Sequence, residues 1–218
     1  MKIKGIIFDM DGLMLDTEKL YNRFWREAAA EFGYAMTYEH ALIIRSMNPE
    51  ICAATLKELL GKEFPYEEAK ELRRKLMKEY VKIHGVEKKK GLDELLKYLK
   101  ENKFKIAVAT SSNRSRTEWY LTSVGVWEYF DEIICGDMVE KGKPEPDIYL
   151  TAAKRLGLFP GECVALEDAP AGILSAYRAG CHPVFVPDLD KADDDIRKIA
   201  EYIADSLLDV IIFLKKEG

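Results

Sequence analysis

Residues Ile6-Ile7-Phe8-Asp9-Met10-Asp11-Gly12 run an apolar stretch straight into two carboxylates spaced two apart. An apolar run without polar alternation suits a strand buried on both faces, the usual state of a strand in a parallel sheet. Alternation along an extended chain points Asp9 and Asp11 the same way, so like charges crowd together at the strand's end. Each carboxylate raises the free energy of the other's charged form. A divalent cation between them offsets that cost, because hard cations such as Mg2+ take oxygen ligands. The pattern reads as a metal-assisted site at the C-terminal end of a strand, where open parallel sheets bind ligands. A polar turn after a core strand is the alternative.

The rest of the chain tells which kind of sheet this strand joins. After a first strand at about residues 4 to 9, Thr17 is a plausible N-cap for a helix carrying Leu20, Phe24, Ala28 and Phe32, closed by Gly33. A second helix opens at Pro49, carries Ile51, Thr55 and Leu59, and stops at Gly61. A third runs from about Tyr66 to Gly85. Three or four helices with no strand between them read as a small helical bundle. The run Glu87-Lys88-Lys89-Lys90-Gly91 reads as a solvated return linker. From Leu92 onward, helices alternate with short apolar strands: 104 to 109, 132 to 135, 163 to 166 and 183 to 186. Such alternation implies βαβ units and a parallel sheet covered on both faces. The tail from Ala192 is helical or mixed. The expected fold is α/β, a Rossmann-like parallel core of residues 1–16 and 87–218 with an inserted all-helical unit of residues 17–86.

Composition narrows the function classes. At 218 residues, with 48% hydrophobic and 33% charged, the chain can bury a sizeable core. A net charge of -5 argues against a nucleic-acid-binding surface. No apolar run is long enough to span a bilayer. Lys2-Ile3-Lys4 leads directly into the first strand with no signal-type processing site, so the expectation is a cytoplasmic protein with no membrane partner. Cys52, Cys135, Cys163 and Cys181 are scattered and read as reduced core or near-core thiols. His40, His84 and His182 are equally scattered, which argues against a histidine metal site or a Ser-His-Asp triad. No obligate protein partner is evident.

Polar groups recur wherever a core strand ends. Asp9 and Asp11 follow the first strand and Thr110-Ser111-Ser112 the second. Gly136-Asp137 follow the third, with Lys143-Pro144 on the next loop, and Glu167-Asp168 follow the fourth. Connection rules bring these loops to one edge of a parallel sheet. Carboxylates, hydroxyls and one lysine on one edge are what a phosphoryl group bound with Mg2+ requires.

The segments FDMDGLMLDTE, VATSS, KGKPEPDIY and LEDAPAGI, in this order, resemble the four signature motifs of the haloacid dehalogenase superfamily. The helical insertion is similar to the cap of its β-phosphoglucomutase and phosphoglycolate phosphatase branch. The resemblance implies that Asp9 is a nucleophile forming a phosphoaspartyl intermediate and a Mg2+ ligand. Asp11 would be the general acid/base, its backbone carbonyl also on the metal. Thr110 would donate its hydroxyl to the phosphate, helped by the Ser111 N–H, with Gly12 a further substrate contact. Lys143 would neutralise the transferring group, and Asp168 would complete the metal site with Glu167 as ligand or in support. Asn113 and Arg114 lie near the phosphate loop, as substrate contacts or as solvent-facing helix-start residues. Asp137 could orient Lys143 or the metal's waters, or serve the turn. Asp16 could be a helix-start charge or part of a hinge.

The substrate is read less sharply. Mutases acting on β-glucose 1-phosphate usually carry a histidine on the first cap helix, where alignment of the DTE segment puts Tyr21 here. The lysine of their last cap helix falls on Leu76, between Lys75 and Lys78. These departures leave a plain phosphatase ahead of a mutase. Lys19 lies near where a phosphonatase would need a Schiff-base lysine, but a solvated helix lysine is the simpler reading. Arg45 and Ser46 sit where related enzymes place a substrate-facing loop. The flanking text is also similar to the pseudouridine 5'-phosphate phosphatase branch. The substrate implied is a small phosphorylated metabolite, a sugar phosphate or nucleoside monophosphate. A cap of this type implies a lid with joints near Asp16-Thr17 and residues 86 to 91. A catalytically silent binding protein on the same fold is the third reading.

Overall fold

The computed structural model describes residues 2–45, 47, 49–189 and 191–217. It divides into two compact units, Met1–Asp16 with Glu87–Gly218, and Thr17–Val86. The chain begins with β1 (Gly5–Phe8) and then enters the second unit. That unit holds α1 (Glu18–Glu31), α2 (Tyr38–Ile43), α3 (Pro49–Leu60) and α4 (Tyr66–His84). On its return it forms α5 (Leu92–Glu101), β2 (Lys105–Thr110), α6 (Arg114–Ser123), β3 (Glu132–Cys135), α7 (Asp147–Leu156), β4 (Cys163–Glu167) and α8 (Pro170–Ala179). It closes with β5 (His182–Phe185), α9 (Asp194–Ile199), β6 (Tyr202–Ile203) and α10 (Leu207–Glu217).

The described strands form one parallel sheet in the order β3-β2-β1-β4-β5-β6. β1 is central because its four residues are buried and it pairs on both sides: Phe8 stands opposite Val108 and Leu166. The order reverses direction between β1 and β4, which makes their C-terminal ends the topological switch point. One face is covered by α7 and α8. Ile7, Ala107, Ala109, Ile134 and Ala165 pack there against Ile148, Tyr149, Ala152, Ala153 and Ala176. The small side chains let helix and sheet approach closely. Leu92, Leu95, Leu96 and Leu99 recur at helical spacing on α5, which packs with α10, and all four are buried.

In the helical unit, Trp25, Met36, Ala41, Leu56, Phe64, Tyr66 and Ala69 make a core of their own, with Trp25 stacked on Tyr66 at 5.8 Å. Thr17 occupies the position before α1, but its side chain makes no capping bond to the helix; its backbone carbonyl instead accepts from Tyr21 N–H. The tail that defied placement from sequence contains β6, a two-residue edge strand on β5, between two helices. So short a strand carries too little periodicity to read.

The lysine-rich return segment is more ordered than a solvated linker. Asp16 N–H donates to Glu87 O and Lys89 N–H to Met14 O. Lys88 forms a bridge with Leu15 and its ammonium pairs with Asp93. Lys89 pairs at 2.5 Å with Asp188, whose side chain is 4% exposed. Gly91 has φ 92°, and a side chain there would meet the backbone of Leu208. Lys88 and Lys89 of this run thus pair with specific carboxylates of the α/β unit.

Candidate active site

Three strand ends build the centre of the site. Asp9 directly follows β1, and its N–H donates to Leu166 O at 3.0 Å, continuing the ladder one step past the strand. Thr110 and Glu167 are the last residues of β2 and β4. All three are buried, as is Asp168. Ligand oxygens of Asp9, Glu167 and Asp168 lie within 4.8 Å of one another.

Lys143 enters this cluster from the loop before α7. Its ammonium donates to Asp9 Oδ1 at 2.6 Å, to Ala109 O at 3.0 Å and to Glu167 Oε1. The loop is held in place from α8: Ser175 Oγ donates to Glu145 O, and Arg178 donates to Pro144 O and Glu145 Oε1. The Lys143–Pro144 peptide is cis. Tyr149, on the first turn of α7, donates its hydroxyl to Glu167 Oε1. Gly172 lies under the same carboxylate, where a Cβ would fall 2.0 Å from Glu167 Cδ. No side chain fits there.

The electrostatics of this cluster are unbalanced. Burial pushes the Asp9 carboxyl up to about 8, against the pull of the Lys143 ammonium, and Glu167 and Asp11 add to the rise. Burial pulls the Lys143 ammonium down, yet the adjacent Asp9 and Glu167 carboxylates hold it above the usual lysine range. Burial raises the Tyr149 phenol well above normal, with Glu167 adding to it. Three clustered carboxylates share the buried centre with the Lys143 ammonium. The donor set fits a hard divalent cation in both oxygen chemistry and charge.

Around this centre lie the segments expected from the sequence to hold phosphate. Thr110 Oγ1 accepts from Ser112 N–H at 3.1 Å, so its own O–H can donate elsewhere. Ser111 is exposed beside it. Gly136 after β3 packs against the Ser111 backbone, where a Cβ would fall 2.5 Å from Ser111 O. Gly12 has φ 87° and its N–H donates to Leu15 O, closing the turn that follows Asp11. Asp11 accepts from Ser112 Oγ and from Arg116 Nη2.

Other candidates have different partners. Asn113 caps α6 by accepting from Arg116 N–H. Arg114 donates to Ile133 O and stacks over Trp127 at 4.8 Å. Asp137 accepts from Arg114 N–H, a helix-start contact. In the helical unit, the Arg73 guanidinium lies 4.6 Å over the Tyr21 ring, and half-buried Arg45 sits in the turn after α2. Ser46 lies outside the described residues. Tyr149, Gly172 and Arg116 were not singled out from sequence. Tyr149 stands inside the KGKPEPDIY segment and Gly172 inside LEDAPAGI, so motif position was the available signal; Arg116 carries none.

The sequence profile of the haloacid dehalogenase-like hydrolase family matches residues 6–186. A phosphorylated carbohydrates phosphatase of Thermotoga maritima is 32% identical over 191 residues, covering 84% of each chain. The fructose-1-phosphate phosphatase YqaB of Escherichia coli is 31% identical over 183 residues, covering 84% of this chain and 95% of its own. The crystal structure of CbbY from Rhodobacter sphaeroides in complex with phosphate superposes with a TM-score of 0.79 at 26% identity, covering 95% of this chain and 96% of the other.

Proposed function

The chain belongs to the haloacid dehalogenase-like hydrolases, and from that premise we propose that it is a Mg2+-dependent phosphatase of a small phosphomonoester, acting through a phosphoaspartyl intermediate on Asp9. The observation that carries the reading is Asp9 itself. It is a buried carboxylate at the switch point, bonded to Lys143 and clustered with Glu167 and Asp168. Relatives named for phosphorylated carbohydrates and fructose 1-phosphate support a sugar phosphate as substrate.

In the first half-reaction Asp9 attacks phosphorus. The bond to the ester oxygen breaks, and Asp11 gives its proton to the leaving alcohol. In the second, water attacks the phosphorus of the phosphoaspartate. Its proton passes to Asp11 and the Asp9 carboxylate is regenerated. The Thr110 hydroxyl and the Ser111 N–H hold phosphoryl oxygens, while Lys143 offsets their charge. Mg2+, held by Asp9, Asp168 and Glu167 with the Asp11 carbonyl, would add the positive charge that a loose phosphoryl-transfer transition state needs. Tyr21 and Arg45 belong to the substrate-selecting part of this proposal.

The test is inorganic phosphate release from a panel of sugar and nucleoside monophosphates, with and without Mg2+. β-Glucose 1-phosphate belongs in the panel, with glucose 6-phosphate read in the same wells. Mg2+-dependent phosphate release is expected. Glucose 6-phosphate formed without free phosphate would replace the phosphatase by a mutase.

A further inference from the structure

Asp11 is gripped by two donors from the segment after β2. Ser112 Oγ donates to Oδ2 at 2.8 Å, and Arg116 Nη2 donates to Oδ1 at 2.7 Å. Arg116 is itself fixed. It lies on the first turn of α6, its N–H bonds the Asn113 cap, and its guanidinium packs over the Tyr120 ring at 5.1 Å. The paired side chains are 28% and 18% exposed, sheltered but open to water on one side. With both oxygens accepting hydrogen bonds, the arrangement suits an oriented carboxylate, which keeps spare lone pairs for a further donor.

Resting on the phosphatase reading above, we propose that Arg116 is a positioning residue for the second half-reaction. It holds Asp11 as an aimed carboxylate that receives the proton of the attacking water. In that step the water oxygen bonds to phosphorus and the phosphorus–oxygen bond to Asp9 breaks. Its electron pair returns to the Asp9 carboxylate, and the proton moves to Asp11. The role concerns dephosphorylation more than formation of the phosphoenzyme. Ser112 holds one oxygen and Arg116 the other, so the two donors together fix the plane of the carboxylate.

p-Nitrophenyl phosphate separates the two halves, because its leaving group departs without needing a proton. In rapid-mixing experiments the nitrophenolate burst reports phosphoryl transfer to Asp9, and the later steady state reports release of phosphate. Arg116→Met is expected to slow the steady-state phase about 10- to 100-fold, the usual scale for lost orientation of a reacting group, while slowing the burst far less. Acid-trapped phosphoenzyme should rise accordingly. Arg116→Lys, which keeps the charge, should recover part of the loss. Burst and steady state falling by one common factor would overturn the proposal, as would neither falling, or identical Lys and Met variants. If the wild-type enzyme traps no phosphate on Asp9, the phosphoaspartyl reading fails and this inference with it. If it does and Arg116→Met changes nothing, only this inference fails.

Discussion

In the proposed mechanism, Asp9 carries both the chemistry and a large electrostatic cost in one side chain. Asp9→Asn keeps the shape but removes the proposed nucleophile, and turnover should fall by more than about a thousandfold if the reaction is covalent. Circular dichroism should remain unchanged; near-wild-type phosphate release would remove Asp9 from that role. The same residue predicts a pH dependence. Its carboxyl is raised in the fold from 3.8 to about 8, so the folded protein holds that proton more tightly than the unfolded chain. The resulting stability is fully present below about 3.8 and is lost as pH rises through about 8. Melting in chelator should therefore drop between pH 6 and 8.5 in the wild type. The drop should be smaller in Asp9→Asn, and equal slopes in the two proteins would contradict the assignment.

At the level of elements, the loops are precise because helices behind them hold them. α8 does so twice: through Ser175 and Arg178 it fixes the loop of Lys143, and through Gly172 it makes room for Glu167. Gly172→Ala would put a methyl group into the Glu167 carboxylate. The helix backbone tolerates alanine, so the strain falls on Glu167. The expected outcome is a loss of about 1–3 kcal/mol, as for overpacked cores, together with weakened Mg2+ binding. Thermal melts and a Mg2+ titration of phosphatase activity check it. An unchanged titration would mean that Glu167 does not support the metal.

For the whole molecule, the clustered oxygens of Asp9, Glu167 and Asp168 predict stabilisation by Mg2+. A ligand that binds only the folded state stabilises by mass action, about 2.7 kcal/mol at a hundredfold excess over Kd. In a chain of 218 residues, that corresponds to a rise in Tm of about 5–10 °C. Differential scanning calorimetry with Mg2+ against chelator measures it. The rise should vanish in Asp168→Asn at the same concentration. A rise that persists would place the bound metal elsewhere.

How much of this was legible in the chain follows from the range of each interaction. Strand ends and the helical insertion are written in local periodicity and the paired carboxylates Asp9 and Asp11 in their spacing; Thr110, Lys143, Glu167 and Asp168 owe their expected roles to the resemblance of their segments to the family's motifs. Burial of an apolar run beside a carboxylate is a local demand that neighbouring residues reveal. What only the tertiary structure decided are the partnerships between residues far apart in the chain: Arg116 with Asp11, Tyr149 with Glu167, and Lys89 with Asp188. Arg116 lies 105 residues from Asp11 in the chain. A helix-start arginine with solvent as its default partner looks the same in sequence as one that clamps a distant carboxylate. The sheet order brings the two within 2.7 Å, and a residue's own neighbours carry no record of that distance.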